Sequence, residues 1–352
     1  MSAGSGRRVT QAQVARLAGV SQAVVSMVLN GADNLRITEE TRERVQQVLR
    51  STGYTVDIMG RRLRGKSNRI LGVFTYESVF PSGVADFYRP FLLGIEEEAE
   101  AQGFDLLLFT SGGRRDGRRR IFEAGTNRLR IADGSILLGR HNDPQELTRL
   151  IDERFPFVFV GRRESPGGPI SYVGADYVAA TREVYEWLWE LGHRKIGLLS
   201  VTEEHEPTLD RRTGYQAAVR RRRKTPLVFL EQDPAPALEQ ALAEGVTALL
   251  VESIAMADGV LERARELGID VPGGLSLVLL GDPDPSQQPS AHAAPSSGTD
   301  WSMFSIPRHD MGVHAVRLLV ARLENSRARQ LLLPCARHEG ATAGPPSTVV
   351  SR

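Results

Sequence analysis

From residue 69 onward, short apolar runs alternate with amphipathic segments, and this alternation constrains the fold more than any other feature of the 352-residue chain. Apolar runs separated by helical segments are typical of a parallel sheet with helices on both faces. The runs form two similar series, which predicts two Rossmann-like α/β lobes. They are Ile70–Phe74, Asp105–Phe109, Gly134–Leu138 and Phe157–Val160 in the first series, and Tyr172–Val173, Ile196–Leu199, Leu227–Leu230, Ala248–Val251 and Ser276–Leu280 in the second.

Two lobes that face each other leave a cleft in which a small molecule can bind. Residues Pro283–Asp300 are rich in Pro, Ser, Ala and Gln, and this composition predicts a mobile loop. We interpret the basic clusters Arg118–Arg120 and Arg220–Lys224 as solvated helix faces. The expected boundaries are 68–340 for the body, about 68–168 and 301–329 for the first lobe, about 169–300 and 330–340 for the second, and 341–352 for a disordered tail.

The first 56 residues have a different pattern, which predicts three short helices around a small core. Thr10 and Gln13 have the spacing of a capping box, Ser21 is a suitable N-cap for the second helix, and Thr38 begins the third. The second helix places its valines on one face at helical spacing. Its outward-facing residues are then Gln22, Ala23, Ser26, Met27 and Asn30.

Charge is divided unevenly along the chain. Residues 1–70 hold 12 Lys or Arg and 5 Asp or Glu, about +7, whereas the rest of the chain is about −6. This division fits a nucleic-acid-binding module joined to a sensor, because phosphates supply most non-specific affinity. The single cysteine, Cys335, excludes an internal disulfide framework. No apolar run approaches the roughly 20 residues that span a bilayer, so we expect a cytoplasmic, nucleoid-associated protein without a membrane partner.

The usual catalytic motifs are absent from the sequence, so we expect no enzyme. It has no P-loop, no GxGxxG after the first strand, no GxSxG elbow and no HExxH spacing. His309 and His314 are five residues apart and do not share a helix face, which argues against a metal site there. We expect no cofactor.

Several segments together resemble the LacI family of transcription regulators, in order and with the family's spacing. They are VTQAQVARLAGVSQAVVSMVLNG, ITEETRERVQQVLRSTGY and RRLRGK near the N-terminus, and FYRPFLLGIEEEAEAQGFDLLL, DGSILL, LGHRKIGLL, RRTGY and MGVHAVRLL in the body. The resemblance implies a helix-turn-helix headpiece over 1–56, a hinge helix over 57–67 and a periplasmic-binding-protein-like body.

By this resemblance, Gln22, Ala23 and Met27 would face base edges in the major groove of operator DNA. The residues that would hold the phosphates are Thr10, Ser21, Ser26 and Asn30, and Tyr54 would join the DNA contacts. Glutamine pairs with adenine, and Ala and Met meet thymine methyl groups. Met27 departs from the family, which more often has arginine there, so we expect less dependence on a guanine.

Residues 58–65 resemble the family's hinge helix, which folds when two copies meet in the minor groove. Leu63 would be the wedge between base steps, and Arg61 and Arg64 would hold flanking phosphates. Gly60 replaces the customary alanine and costs about 1 kcal/mol of helix propensity, so this hinge should depend more on DNA to fold. The alternative is a solvated basic linker.

In the body, the resemblance assigns Arg211 to the effector and Phe87 and Tyr88 to the pocket wall. A surface arginine and plain core packing are the alternatives. Members that respond to sugars place carboxylates or amides at three sites where this chain has Gly161, Ser253-Ile254 and Gly281, with Asp282 beside the last. Arg162 and Arg211 could instead meet an anion. Carbohydrate, another metabolite and no effector therefore all stay open.

The resemblance as a whole implies a homodimer, most simply a repressor, that binds a near-palindromic operator and whose DNA affinity a small-molecule effector alters. The alternative is an effector-independent regulator or architectural protein whose cleft has lost sensing. Polar groups left unpaired on binding cost about 1–3 kcal/mol each, so the missing cleft acceptors favour that alternative.

Overall fold

The computed structural model describes residues 9–29, 37–54, 67–77, 87–110, 114–115, 118–139, 141–230, 233–282, 298–324 and 327–347. The chain divides into two compact units, Met1–Asn68 and Arg69–Arg352. The loop expected over Pro283–Asp300 lies outside the described residues up to position 297.

The described part of the first unit contains three helices, as predicted: α1 (Gln11–Ala18), α2 (Gln22–Leu29) and α3 (Glu39–Thr52). The capping box at the start of α1 is confirmed, because Thr10 Oγ1 accepts from Gln13 N and the Gln13 side chain accepts from Thr10 N. Ser21 Oγ accepts from Val24 N at 3.3 Å and begins α2. Gly19 and Gly53, with φ of 67° and 60°, end α1 and α3 in the left-handed conformation that favours glycine.

The core of this unit is small and apolar. Arg44 Nε also donates to Ala18 O at 3.1 Å, which joins α3 to the end of α1. Among the described residues, no single helix is long and apolar enough to cross a membrane; α1 and α2 taken together would be, by length and composition, but they bend by 104° at their turn. The buried core residues are Val14, Ala15, Ala18, Val25 and Val45.

The second unit contains two sheets of six strands. The first sheet has the order β15-β9-β8-β7-β1-β2, and all its pairs are parallel. Helices α4 (Arg89–Ala101) and α10 (Arg308–Leu323) cover one face, and α5 (Pro144–Asp152) covers the other. The strands are β1 (Ile70–Thr75), β2 (Asp105–Phe109), β7 (Gly134–Leu138), β8 (Phe157–Val160), β9 (Ser171–Ala175) and β15 (Gln330–Leu333).

The second sheet has the order β11-β10-β12-β13-β14-β16, parallel except for the last strand. Helices α6 (Tyr177–Glu190) and α7 (Glu206–Arg221) pack on one face, and α8 (Pro234–Ala243) and α9 (Ile254–Glu266) on the other. The two-lobed α/β body is confirmed. The strands are β10 (Ile196–Ser200), β11 (Val228–Leu230), β12 (Ala248–Val251), β13 (Ser276–Leu279), β14 (Ser302–Ser305) and β16 (Ala336–His338).

The lobe boundaries differ from those expected. Strands β9 and β15, expected in the second lobe, belong to the first sheet, and β14, expected in the first lobe, belongs to the second sheet. Pairing decides this, because the fully buried β9 needs hydrogen-bonding neighbours on both edges and finds them in β8 and β15. The chain therefore crosses between lobes after β9, after β14 and after β15.

Three residues at these crossovers each pack against a core of both lobes. They are Tyr177, Ile306 and Cys335. Burial raises the pKa of the Cys335 thiol to about 12. The crossovers are thus packed segments that join the two lobe cores.

Helices α4 and α10 approach closely through a pair of glycines. A Cβ on Gly94 would lie 2.1 Å from His309 O, and a Cβ on Gly312 would lie 2.3 Å from Phe91 O. No side chain fits at either position without moving a backbone. This crossing holds α10, which follows the second crossover, against the first lobe.

Between β2 and β7, the described residues form two short antiparallel pairs and a 3-10 helix. The predicted solvated helix face at Arg118–Arg120 is wrong: Arg119 is buried and its Nη1 donates to Thr75 Oγ1 at 2.8 Å, while Arg120 pairs with Asp143 and Glu146. A hydroxyl on β1 and carboxylates at the start of α5 draw these arginines inward. The elements are β3 (Arg114–Arg115), β4 (Arg118–Arg119), β5 (Phe122–Glu123), β6 (Thr126–Asn127) and the 3-10 helix Arg128–Ile131.

The expected disordered tail is ordered over 341–347, the part that is described. Thr342 is buried, its hydroxyl accepts from Ser302 N at 2.9 Å, and it donates to Leu277 O at 2.7 Å. Gly344 O bonds the buried His193 at 2.8 Å. Composition gave the wrong answer because these small residues are held by backbone and hydroxyl partners in the second lobe rather than by apolar packing.

Candidate functional site

The first unit has an exposed surface on α2. Gln22 and Ala23 are exposed there, and Ser26 and Met27 are half-buried. The bend of 104° between α1 and α2 is in the range of helix-turn-helix motifs, whose second helix enters the major groove. The surface of α2 thus has the shape and side chains to meet base edges.

Two of the residues predicted to hold phosphates are the caps of these helices. Thr10 and Ser21 stand where the backbone amides of the first turns of α1 and α2 point outward, a favourable place for a phosphate. Tyr54 is half-buried and packs against the core of the first unit. Four of the predicted residues lie outside the described ones, namely Asn30, Arg61, Leu63 and Arg64, and so does most of the predicted hinge helix.

The body has a cleft between its lobes, at the carboxyl ends of strands from both sheets. This is where open α/β sheets bind ligands. The cavity in this cleft is partly open and has a volume of about 150 Å³. Of the six predicted effector contacts, five line it: Phe87, Tyr88, Arg211, Ser253 and Asp282.

A buried arginine and a buried carboxylate form the centre of the second lobe's wall. Arg211 Nη1 lies 3.2 Å from Glu252 Oε1, and Arg211 Nε donates to Leu280 O at 2.8 Å. The guanidinium also lies over the Tyr177 ring, 4.3 Å from its centroid. The alternative of a surface arginine is therefore wrong.

Glu252 was not among the predicted cleft residues. A charged residue directly after the buried run Ala248–Val251 is nevertheless a signal of a cleft position. Its Oε2 accepts from Ser200 Oγ at 2.9 Å and Val201 N at 3.4 Å, and its Oε1 also accepts from Thr208 Oγ1. A carboxylate with this many donors is held in one orientation. Removing one member of such a buried pair costs about 3–5 kcal/mol.

On the first lobe, Arg163 rather than the predicted Arg162 lines the cavity. Arg163 is buried; its Nη2 donates to Gly139 O at 2.7 Å, and its guanidinium lies over the Phe159 ring. Burial lowers the pKa of Arg163. The chain turns at Gly161, where φ is 107°, and this turn decides which of two adjacent arginines points inward.

Arg162 reaches across the lobes instead. Its Nε lies 2.8 Å from Asp210 Oδ2 on α7, and Arg163 Nη1 lies 3.3 Å from Glu206 Oε2 on the same helix. His141, which follows β7, contacts Glu77 on its own lobe and Glu203 on the other. These bridges hold the lobes together around the cavity.

Aromatic residues cover the first lobe's side of the cavity. Phe87 packs edge-on against Tyr88, with ring centroids 5.3 Å apart, and lies 5.7 Å from Phe91. Tyr88 Oη donates to Glu77 Oε2 at 3.0 Å. Phe87 and Tyr88 also pack against the first lobe's core, so these two residues both line the cavity and contribute to core packing.

Asp282 and Ser253 complete the polar lining. Asp282 Oδ2 accepts from Ile306 N and pairs with Arg308 Nη2, both at 2.9 Å. Ser253 is the N-cap of α9 without a side-chain cap bond. Gly161 and Gly281 also line the cavity, and a Cβ on Gly281 would lie 3.4 Å from Arg211 Nη2.

Comparison with known proteins identifies the family. The family model for bacterial regulatory proteins of the lacI family matches residues 10–57, and the one for periplasmic binding protein-like domains matches residues 185–342. An HTH-type transcriptional regulator of Streptomyces limosus is 30% identical over 286 residues, 77% of this chain and 78% of that one. The chain belongs to the LacI family.

Other LacI-family relatives match over nearly the whole length. The transcriptional regulator CelR of Thermobifida fusca is 28% identical over 94% of this chain and 97% of its own. The transcriptional repressor CytR of Escherichia coli is 26% identical over 90% of each chain. These relatives are regulators rather than enzymes, so the prediction that this LacI-family chain is not an enzyme is confirmed.

Solved structures show the same LacI-type fold. The lac repressor dimer bound to operator and the anti-inducer ONPF has a TM-score of 0.67 at 23% identity and covers 96% of this chain and 99% of its own. A CelR–cellobiose complex has a TM-score of 0.58 at 24% identity and covers 95% and 100%. The predicted fold class is confirmed. As a LacI-family member, the chain is a DNA-binding transcription regulator with a ligand-binding body.

Proposed function

We propose that this regulator is a repressor that binds a near-palindromic operator as a homodimer, and that a small molecule in the interlobe cleft alters its DNA affinity. The observation that carries the proposal is the presence, in one chain, of the exposed α2 surface and an interlobe cleft lined by Arg211 and Arg163. A dimer imposes its two-fold symmetry on the operator. Such a protein works in the cytoplasm, where bacterial DNA lies.

Relatives and neighbours support the proposal in three ways. CytR is named a repressor, the lac repressor structure is a dimer on operator DNA, and CelR was solved with cellobiose. The division at Asn68 agrees with a hinge over 57–67. In the proposed dimer, Leu63 of each copy acts as the minor-groove wedge, and Arg61 and Arg64 hold phosphates. Asn30 is proposed to hold a phosphate as well. The roles of all four residues rest on the sequence resemblance.

In the cleft, a ligand that changes how the lobes close would also change DNA affinity. Such coupling is reciprocal, and about 1–3 kcal/mol is typical. The bridges from Arg162 and Arg163 to α7 are the contacts that a change in closure would alter.

The first test is binding of purified full-length protein to genomic fragments, footprinting of the strongest site, and repetition with a panel of metabolites. A protected near-palindrome that one compound releases supports the whole proposal. Protection that no compound changes supports an effector-independent regulator, and no sequence preference overturns operator recognition.

Variants of two glutamines test the α2 surface. Gln22→Ala removes an exposed amide from α2, and Gln47→Ala removes an equally exposed amide from α3. We expect the first to weaken operator binding about tenfold to a hundredfold, since a bidentate base contact is worth about 1–3 kcal/mol. The second should leave the footprint unchanged. Equal losses would remove α2 as the reading surface.

A further inference from the structure

The size of the interlobe cavity limits what it can hold. Its volume is about 150 Å³. A cavity of about 150 Å³ accepts benzene, whereas pockets for larger ligands measure about 300–1,000 Å³. With the lobes as they stand, a single six-membered ring fits inside this partly open cavity, whereas a disaccharide would extend beyond it.

The acceptors in the wall are largely occupied by protein donors. The Glu252 carboxylate accepts hydrogen bonds from four residues, namely Ser200, Val201, Thr208 and Arg211. Leu280 O accepts a hydrogen bond from Arg211 Nε. A polyol needs acceptors for each of its hydroxyl groups, and each one left unpaired on burial weakens binding. The wall therefore discriminates against a ligand that is rich in hydroxyl groups.

A donor remains available next to an empty space. Arg211 bonds through Nε and Nη1, and no atom of the described residues accepts from its Nη2. Gly281 lies beside that nitrogen and has no side chain; a Cβ there would lie 3.4 Å from Nη2 and 3.6 Å from Ile306 Cδ1, so there is room for an atom in contact with both. A ligand can place its own acceptor there.

Charge and shape favour a carboxylate on a ring. Charge-assisted bonds from arginine to carboxylate are the stronger kind, so a carboxylate suits Arg211 Nη2 better than a neutral acceptor does. Phe91, Met311 and Ile306 supply apolar surface for contact with a ring. The wall thus has one cationic donor for an acidic group and apolar surface for one ring.

We propose, resting on the proposed function of the cleft, that its ligand is a compact monocarboxylate built on one six-membered ring. The carboxylate is received by Arg211 Nη2 beside Gly281, and the ring lies against the apolar wall. Because Gly281 has no side chain, a carboxylate oxygen of the ligand can lie beside Arg211 Nη2.

Calorimetry on the full chain tests this with matched probes: benzoate and cyclohexanecarboxylate, their neutral counterparts benzamide and cyclohexanecarboxamide, and glucose and cellobiose. We expect the carboxylates to bind with Kd below about 1 mM and the amides at least about tenfold more weakly. Equal binding of acid and amide overturns the proposal, as does tighter binding of either sugar or no carboxylate binding up to about 10 mM.

Two lysine variants locate the contact. Arg211→Lys removes Nη2 while keeping the charge, and Arg263→Lys alters an arginine on α9 that pairs with Glu239 at 2.7 Å, away from the cavity lining and the interlobe bridges. We expect the first to lose at least tenfold in carboxylate affinity and the second to bind as before; equal losses overturn the assignment to Arg211. Should Arg211→Lys fail to fold, the acid–amide comparison on the unaltered chain decides.

Operator footprinting with the same probes separates this inference from the proposed function. Carboxylate binding without any change in protection supports the ligand class and overturns the regulatory role of the cleft. Release of the operator by a sugar that binds more tightly than both acids supports that role and overturns the ligand class.

Discussion

Arg162 in the first lobe and Asp210 in the second are joined by a contact of 2.8 Å between Nε and Oδ2. The same arginine pairs with Glu164, which belongs to its own lobe and is largely exposed. One guanidinium thus makes one bond across the cleft and one that does not cross it. This arrangement offers a clean way to test whether ion pairs hold the lobes together.

Asp210→Asn should loosen the cleft, whereas Glu164→Gln should not. The stability change will be below about 1 kcal/mol in both, because such partly exposed pairs are weak. Hydrogen exchange at the crossovers near Tyr177 and Ile306 should rise only in the Asp210 variant. Identical exchange in the two variants would remove this pair as a closing contact.

His193→Leu should destabilise the second lobe by about 1–3 kcal/mol, the cost of unpaired buried polar groups. His193 is buried, and its ring nitrogens contact Thr247 Oγ1 at 2.9 Å and Gly344 O at 2.8 Å. Urea unfolding measures the change, with His309→Gln at the surface as the control. A loss of stability no larger than that of the control would show that the contacts of His193 with Thr247 and Gly344 add nothing to stability.

The contribution of His193 should depend on pH. Burial lowers the pKa of His193 from its ordinary value of 6.5, so the unfolded chain takes up the proton first. Stability from this residue is therefore full above about pH 7, falls as the pH drops below about 6.5, and continues to fall until the folded pKa is reached. The gap in unfolding free energy between the parent chain and His193→Leu should narrow over that range. A gap that widens on acidification contradicts the assignment.

Cys335 should be nearly inert in the folded protein. With its pKa raised to about 12 by burial, its thiolate fraction at pH 8 is about a thousandth of that of an ordinary thiol. Alkylation by iodoacetamide should be at least about a hundredfold slower in buffer than in urea. It is the only cysteine in the sequence, so the measured alkylation rate needs no correction for other thiols. Fast native alkylation would mean that the third crossover opens readily.

Local pattern was enough to predict most strands and the three N-terminal helices, because burial and capping leave periodic signals. The resemblance to the LacI family, rather than local pattern, singled out Arg211. Local pattern failed where the answer depends on distant partners: β9, β14 and β15 were assigned to the wrong lobes because strand pairing, not periodicity, decides sheet membership.

Two further errors have the same origin. Arg162 and Arg163 are neighbours of one type, and only the turn at Gly161 settles which enters the cleft. Residues such as Thr342 and Gly344 show no apolar pattern, since backbone and hydroxyl bonds hold them. Glu252, by contrast, had a readable signal at the end of a buried strand.

Both sheets of the body take strands from late in the chain, and this has a consequence for synthesis. The first sheet needs β15 and the second needs β16, whereas α1 to α3 come from the first 52 residues. At about 5–20 residues per second, a ribosome completes the three helices of the first unit tens of seconds before either sheet can close. A nascent chain would pass through a stage in which its helix-turn-helix unit is complete but its ligand-binding body is not.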